Sequence, residues 1–244
     1  MSPRYREFTP RAELRDRVAC VWAGAAHGNP HGVLPDGCVD IVWAPGSQPW
    51  IAGPDTSARP SALPTDTALA GIRFLPGVAA QILGAPVSEL TDRSVPLSDL
   101  WPRDAARSLK EQLDGARGVA QIIAALEQAI LRRDWPPPDP AVRLTVLEIQ
   151  GRIALGMNCC GRASWNLPIS GRQLRRRFVT AVGYGPKRFE RIMRFQRFLR
   201  LADTVGRGLG LATLAAEAGY ADQAHLSREC TSLAGCTPQR LMSG

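Results

Sequence analysis

The sequence predicts a two-domain α+β protein. A β-rich half, folded as a barrel or sandwich and followed by helices, precedes an all-helical half in which one helical unit occurs twice, its copies joined by a long helix. Three observations predict this. A proline cluster, Pro136 to Pro140 with Asp139 inside it, divides the 244-residue chain; such a run cannot continue a helix and reads as a stiff spacer. Charge changes sign there: residues 1–139 carry 14 basic and 16 acidic side chains, whereas residues 140–244 carry 16 and 6. The second half also repeats itself at a shift of 52 residues. The expected divisions are 1–134, a linker at 135–141, and 142–244.

Composition excludes several classes. With 45% hydrophobic and 21% charged residues, the chain is neither disordered nor fibrous. No run approaches the roughly 18 apolar residues that span a bilayer, and the start, "MSPRYREFTPRAELRDRV", has no apolar leader, so a cytoplasmic address is expected. The six cysteines form no C-x-x-C pair and lack histidines at zinc-ligand spacing, so free thiols are expected. The vicinal pair Cys159–Cys160 keeps a thiol-based redox response open as an alternative.

In the first half, "ACVWAGA" (19–25), "GCVDIVWAP" (37–45), "PWIAG" (49–53) and "LAGIRFLPG" (69–77) are short apolar or alternating runs cut by Gly, Pro and Asp, the signature of strands. "LPDG" (34–37) is a turn, with proline and glycine where one requires them. From Val78 the spacing becomes helical, over 78–84, 103–116 and 119–133. After the prolines, helices are predicted at 140–155, 170–181, 185–203, 211–220 and 222–233. In the third of these Phe189, Ile192, Phe195, Leu199 and Ala202 share one arc, outside which Arg194, Arg197 and Arg200 fall.

The repeat gives the helices their meaning. "SGRQLRRRFVTAVGYGPKRF" (170–189) lies without a gap over "DQAHLSRECTSLAGCTPQRL" (222–241). Ser170 meets Asp222, both good N-caps. Leu174 meets Leu226 and Phe178 meets Cys230, pairs spaced to bury together. Arg176 meets Arg228, Gly183 meets Gly235, Pro186 meets Pro238 and Arg188 meets Arg240. A helix, a tight turn and a second capped helix, used twice, is the helix-turn-helix plan.

Two such units on one connecting helix suit B-DNA, whose successive major grooves on one face lie about 34 Å apart. A connecting helix of about 16–18 residues spans about 24–27 Å. A membrane-surface helix would need a broad apolar face and would have no reason to recur with a turn. A merely solvated face would mix its charges, yet residues 170–200 hold ten bases and one acid, Glu190. DNA is the expected partner.

These residues also carry a family resemblance. "S-x-x-x-L-x-R-x-F", "G-x-x-P", "R-F-x-R-I-x-R-F-Q", "A-x-x-A-G-Y-A-D-Q-A-H-L-S-R" and "G-x-T-P-x-R" occur in order over roughly residues 140–242. This half resembles the AraC/XylS family of transcription regulators. "LPDGCVDIVW", "GPDTS" and "GIRFLPGVAAQILGAPVSEL" make the first half similar to the cupin-like sensor module of one AraC subgroup. The resemblance implies a transcription regulator with a cupin-like effector-sensing or dimerising domain. Its implied partners are double-stranded DNA, RNA polymerase, a small effector and a second copy of the chain.

The base-reading residues follow from helical geometry. In a helix starting after Ser170, positions 171, 172, 175 and 176 lead toward the groove while Leu174 and Phe178 face inward. Gly171, Arg172, Gln173, Arg175 and Arg176 form the first reading set, and Gln223, Ala224, Ser227 and Arg228 the second. Arginine pairs with guanine, glutamine with adenine, and alanine touches the thymine methyl. Arg177, Arg188 and Arg240 are candidates for phosphate, Arg177 alternatively for an internal acid. Arg194 is expected in a salt bridge.

In the first half an effector pocket is expected among Trp22, Asp36, Cys38, Asp40, Trp43 and Phe74, apolar walls with a few polar groups. No cofactor, metal or catalysis is expected. A cupin metal centre needs about three histidines, and this half holds His27 and His31 alone. Cys38 as a nucleophile would need one of them as its base.

Overall fold

The computed structural model describes residues 5–26, 32–60, 63–156, 169–205 and 209–243. His27, His31 and the Cys159–Cys160 pair lie outside the described residues. The first half contains a six-stranded sheet: β1 (Arg6–Phe8), β2 (Val18–Ala25), β3 (Val39–Trp43), β4 (Trp50–Ala52), β5 (Ala68–Phe74) and β6 (Ser94–Pro96). Its spatial order is β1-β2-β5-β3-β4-β6, with every neighbouring pair antiparallel. The four strands expected from sequence are β2 to β5. The outermost pair, β1 and β6, are three residues each, and β6 ends in a proline that an edge strand tolerates.

Alternation along the strands divides the sheet into two faces. Val21, Ile41, Ile51, Ile72 and Phe74 point into the main core, where α1 (Ala79–Leu83), α2 (Arg103–Asp114) and α3 (Val119–Leu131) close over them. On the other face Cys20, Trp22 and Val42 form a smaller cluster with Trp50 and Leu69. The Trp22 ring lies flat over Gly71, where an added Cβ would stand 2.6 Å from it.

The spacer is shorter than expected. Trp135 belongs to the first domain: its indole stacks on Trp101 at 5.9 Å and donates to Ile130 O, and Arg133 sits over both rings. At the other end Asp139 caps α4 (Pro140–Ala154), accepting from Ala141 and Val142, with Pro140 in the first helical position. Residues 136–138 are what remain as linker.

The second half consists of α4, α5 (Gly171–Val182), α6 (Pro186–Val205), α7 (Leu211–Glu217), α8 (Gln223–Ala234) and the single turn α9 (Pro238–Leu241). Every boundary of the repeat recurs at the same shift: α5 and α8 start and end in register, and α6 and α9 both begin at the paired prolines. The core joins Val142, Val146, Ile149 and Ile153 of α4 to Phe178 of α5, and Leu214 of α7 to Leu226 and Cys230 of α8. The α6 helix supplies Phe189, Ile192, Phe195 and Phe198, all fully buried. Burying each is worth about 1.5–3 kcal/mol. Because α6 lies between two units it is covered on two faces, which is why Phe198 and Arg194 are buried outside the expected arc.

The two halves are docked. Gly183, left-handed at φ +99°, ends α5 where a Cβ would stand 2.7 Å from Pro54 Cγ and Thr91 Oγ1. Thr91 donates to Gly183 O at 3.1 Å. Gly37, the glycine of the expected turn, has φ +81° and lies against Phe189 and Met193 of α6. The Gln196 amide donates to Pro35 O at 2.8 Å, and Ala58 N–H to Leu233 O at 2.7 Å.

Candidate nucleic-acid interface

The α5 helix begins with a capping box. Ser170 Oγ accepts from the Gln173 N–H at 3.2 Å, and the Gln173 side-chain carbonyl accepts from the Ser170 N–H at 2.8 Å. Gln173 is therefore half committed to its own helix, with its amide nitrogen left to reach outward. The hydrophobic side of α5, Phe178, Ala181 and Val182, turns into the core. Gly171, Arg172, Arg175 and Arg176 are exposed. The guanidinium groups of Arg172, Arg175 and Arg176 make no ion pair or hydrogen bond among the described residues. Arg175 reaches the turn that follows α5, its Nε 3.7 Å from the Cβ position of Gly185. Arg176 stands at the rim of a cavity of about 220 Å³ between α1 and α5, so this side chain, expected to read bases, borders the first domain.

The second unit repeats the pattern. Asp222 caps α8 by accepting from His225 N–H at 2.6 Å, and Leu226 and Cys230 face the core. Gln223, Ala224 and Arg228 are exposed. Ser227 is half-buried and its hydroxyl donates to Gln223 O at 2.9 Å, a bond within the helix. His225 lies edge-on to Tyr220 at 5.2 Å and accepts from Ala221 N–H.

The remaining arginines divide. Arg177 pairs with Asp139 at 3.4 Å, tying α5 to the α4 cap and taking the internal-acid alternative. Arg194 pairs with Glu190 at 3.1 Å and lies over the Tyr220 ring. Arg188 and Arg240 are exposed and make no ion pair among the described residues, the state expected of cations left for phosphate. One arginine outside the expected set supports α8. Arg191 holds α8 in place by pairing with Glu229 at 2.9 Å and donating to Ser232 Oγ. Glu229 lies 38 residues away, too far for a helical-spacing rule to find.

In the first domain the six candidate pocket residues do not line one cavity. Phe74 is fully buried core. Trp22 donates its indole N–H to Asp40 at 3.0 Å, and Arg73 makes two hydrogen bonds to Asp40 and pairs with Asp36 at 3.2 Å. Burial pushes Asp40 upward against the pull of Arg73. Asp36 also accepts the Cys38 N–H. These four are members of a closed polar network centred on Arg73, whose role the sequence does not announce. Trp43 alone of the six lines the apolar cavity of about 500 Å³, with Ala23, Leu69, Leu113, Ile122 and Asp114. The inner face of the sheet is filled by its own side chains, so this cavity opens beside the α2–α3 hairpin. Burial pushes the thiols of Cys20 and Cys230 up to about 12 and raises Cys38 as well, so these thiols stay protonated and unreactive at neutral pH.

A family model described as a helix-turn-helix domain matches residues 166–243, and a domain of unknown function (DUF6597) matches residues 6–96. Residues 166–243 are an AraC-type helix-turn-helix domain. It contains α5 and α8, and its biochemical class is DNA binding. No curated protein matches the chain. Among solved structures the chain is similar to ToxT from Vibrio cholerae O395, at 8% identity over 100% of this chain and 96% of that chain, with a TM-score of 0.45. It is also similar to the apo form of a ToxT point variant from the same species, at 11% identity over 98% and 95%, with a TM-score of 0.44. No helix among the described residues is long and apolar enough to cross a membrane.

Proposed function

We propose that the protein is a sequence-specific transcription regulator that lays α5 and α8 into neighbouring major grooves of one duplex. The observation that carries this reading is the pair of capped helices in exact 52-residue register, each presenting exposed arginine and burying the opposite side. The α6 helix, 20 residues long, spans about 30 Å. That length suits the separation of about 34 Å between grooves once the offset of the recognition helices is added. Arg172, Arg175, Arg176, Gln223, Ala224 and Arg228 are the base-reading set, with Arg188 and Arg240 on phosphates.

The first domain supplies control. The apolar cavity beside Trp43 suits a small, largely apolar effector with one polar group facing Asp114. The contacts at Gly37 and Gly183 give such binding a path to the DNA-binding half. Acting on transcription, the protein would work through RNA polymerase, and as a homodimer it would read a doubled site. Selection of bound sequences from random DNA tests the reading. One motif should be enriched, and log affinity should fall against log salt with a slope of about −5 to −7 for roughly 6–8 phosphate contacts. Recovery of unrelated sequences, or salt-independent binding, would refute it.

A further inference from the structure

We infer that Arg197 is the positioning residue that fixes the two helix-turn-helix units at one separation and rotation. The inference rests on the DNA reading above and adds to it what makes two separate readers act as one. Arg197 lies half-buried on α6 between the units. Its Nε donates to Glu217 O, the last residue of α7, at 2.8 Å. Its Nη1 donates to Ile153 O at 2.8 Å and to Ala154 O, both in the last turn of α4. The α4 helix packs against α6 and α5, and α7 packs against α8 and α6. One guanidinium therefore closes the ends of two helices, one packed beside α5 and the other beside α8.

The last four carbonyls of a helix have no partners within it, and they concentrate a partial negative charge of about half an electron at that end. A cation placed between two such ends attracts both. The guanidinium adds direction, because its donors lie in a rigid planar fork. Three bonds from one plane fix the angle between α4 and α7 as well as their distance. Gly156, left-handed at φ +69°, carries the chain out of α4 so closely that a Cβ there would stand 3.3 Å from Arg197 Nη2. Lysine would keep the charge but lose the plane.

The consequence is a defined spacing. If the units are held rigidly, binding of the first presents the second at its groove, which can raise affinity by about 10²–10⁴ over one unit alone. If they are loose, that gain falls and the protein tolerates sites with altered spacing. The test uses the full chain as wild type, Arg197→Ala and Arg197→Lys. The probes are a duplex selected by the wild type from random DNA, the same duplex with two base pairs inserted between the contacted grooves, and a half-site. Wild type should lose about 30-fold or more on the insertion, and Arg197→Ala about 3-fold or less. Arg197→Ala should bind the unaltered duplex about 10–100-fold more weakly than wild type, with half-site affinity within about 2-fold. Arg197→Lys should fall between them. An equal spacing penalty in wild type and Arg197→Ala would overturn the inference, as would a half-site affinity that falls with the full site. Failure of the wild type to enrich any sequence would remove the DNA reading itself, and the inference with it.

Discussion

If α8 reads a major groove as proposed, replacing Arg228 by alanine should remove a base contact and little else. Arg228 is exposed on α8 and its side chain makes no hydrogen bond or ion pair among the described residues, while its neighbours Leu226 and Cys230 hold the helix in the core. The fold should therefore keep its melting temperature. A bidentate arginine–guanine contact contributes about 1–3 kcal/mol of discrimination, which corresponds to a loss of about 5- to 150-fold on the selected duplex. The assay is fluorescence anisotropy on that duplex and on a panel with each base pair changed in turn. The loss should be confined to one base pair, whose substitution no longer matters to the variant. Arg176→Ala should do the same at the equivalent position of the other groove, since the two residues are repeat partners. Arg177→Ala, whose side chain is held by Asp139, should not change sequence preference. Uniform weakening across the panel would show that Arg228 contacts phosphate, and unchanged binding would remove it from the interface.

Three further outcomes follow from the geometry. Ser170→Ala removes half of the capping box and should cost about 1 kcal/mol in a denaturant titration. Gly183→Ala meets both a left-handed backbone and atoms of Pro54 and Thr91, and should cost about 2–4 kcal/mol. Its repeat partner Gly235, at φ +70° with nothing within 4 Å of the added Cβ, should show the backbone part alone, about 1–2 kcal/mol. Equal costs at the two glycines would argue against the docking described here. Burial pulls Asp55 up to about 6 despite its pairing with Arg59. The folded chain therefore holds this proton more tightly than the unfolded chain does, and stability should fall as pH rises from about 4 to about 6. Asp55→Asn should lack that decline in denaturant midpoints taken across the window.

The parts of the molecule legible in sequence are those with local causes. Ser170, Asp222, Gly183 and Gly235 mark helix ends through capping and left-handed geometry, and they place α5 and α8 within one residue of the expected 170–181 and 222–233. The strands β2 to β5 show through alternation and turn residues. The edges β1 and β6 do not: they are three residues each and, unlike the equally short β4 in "PWIAG", are not apolar runs bounded by Pro and Gly. The α6 helix was half legible: a single apolar arc is the mark of one buried face, and this helix has two. Long-range pairing stayed hidden throughout. The Arg73 network, the Arg191–Glu229 pair and the contact of Gln196 with Pro35, 161 residues away, depend on elements that no local pattern brings together. For the same reason Asp36, Asp40, Trp22 and Cys38 read as pocket walls, although Arg73 closes them into a network.

Hydroxyl-radical footprinting of the full chain on its selected duplex tests the two-groove account most directly. The account predicts two protected tracts on one face of the DNA, centred about 10–10.5 base pairs apart. A single protected tract, or protection that ignores sequence, would contradict it.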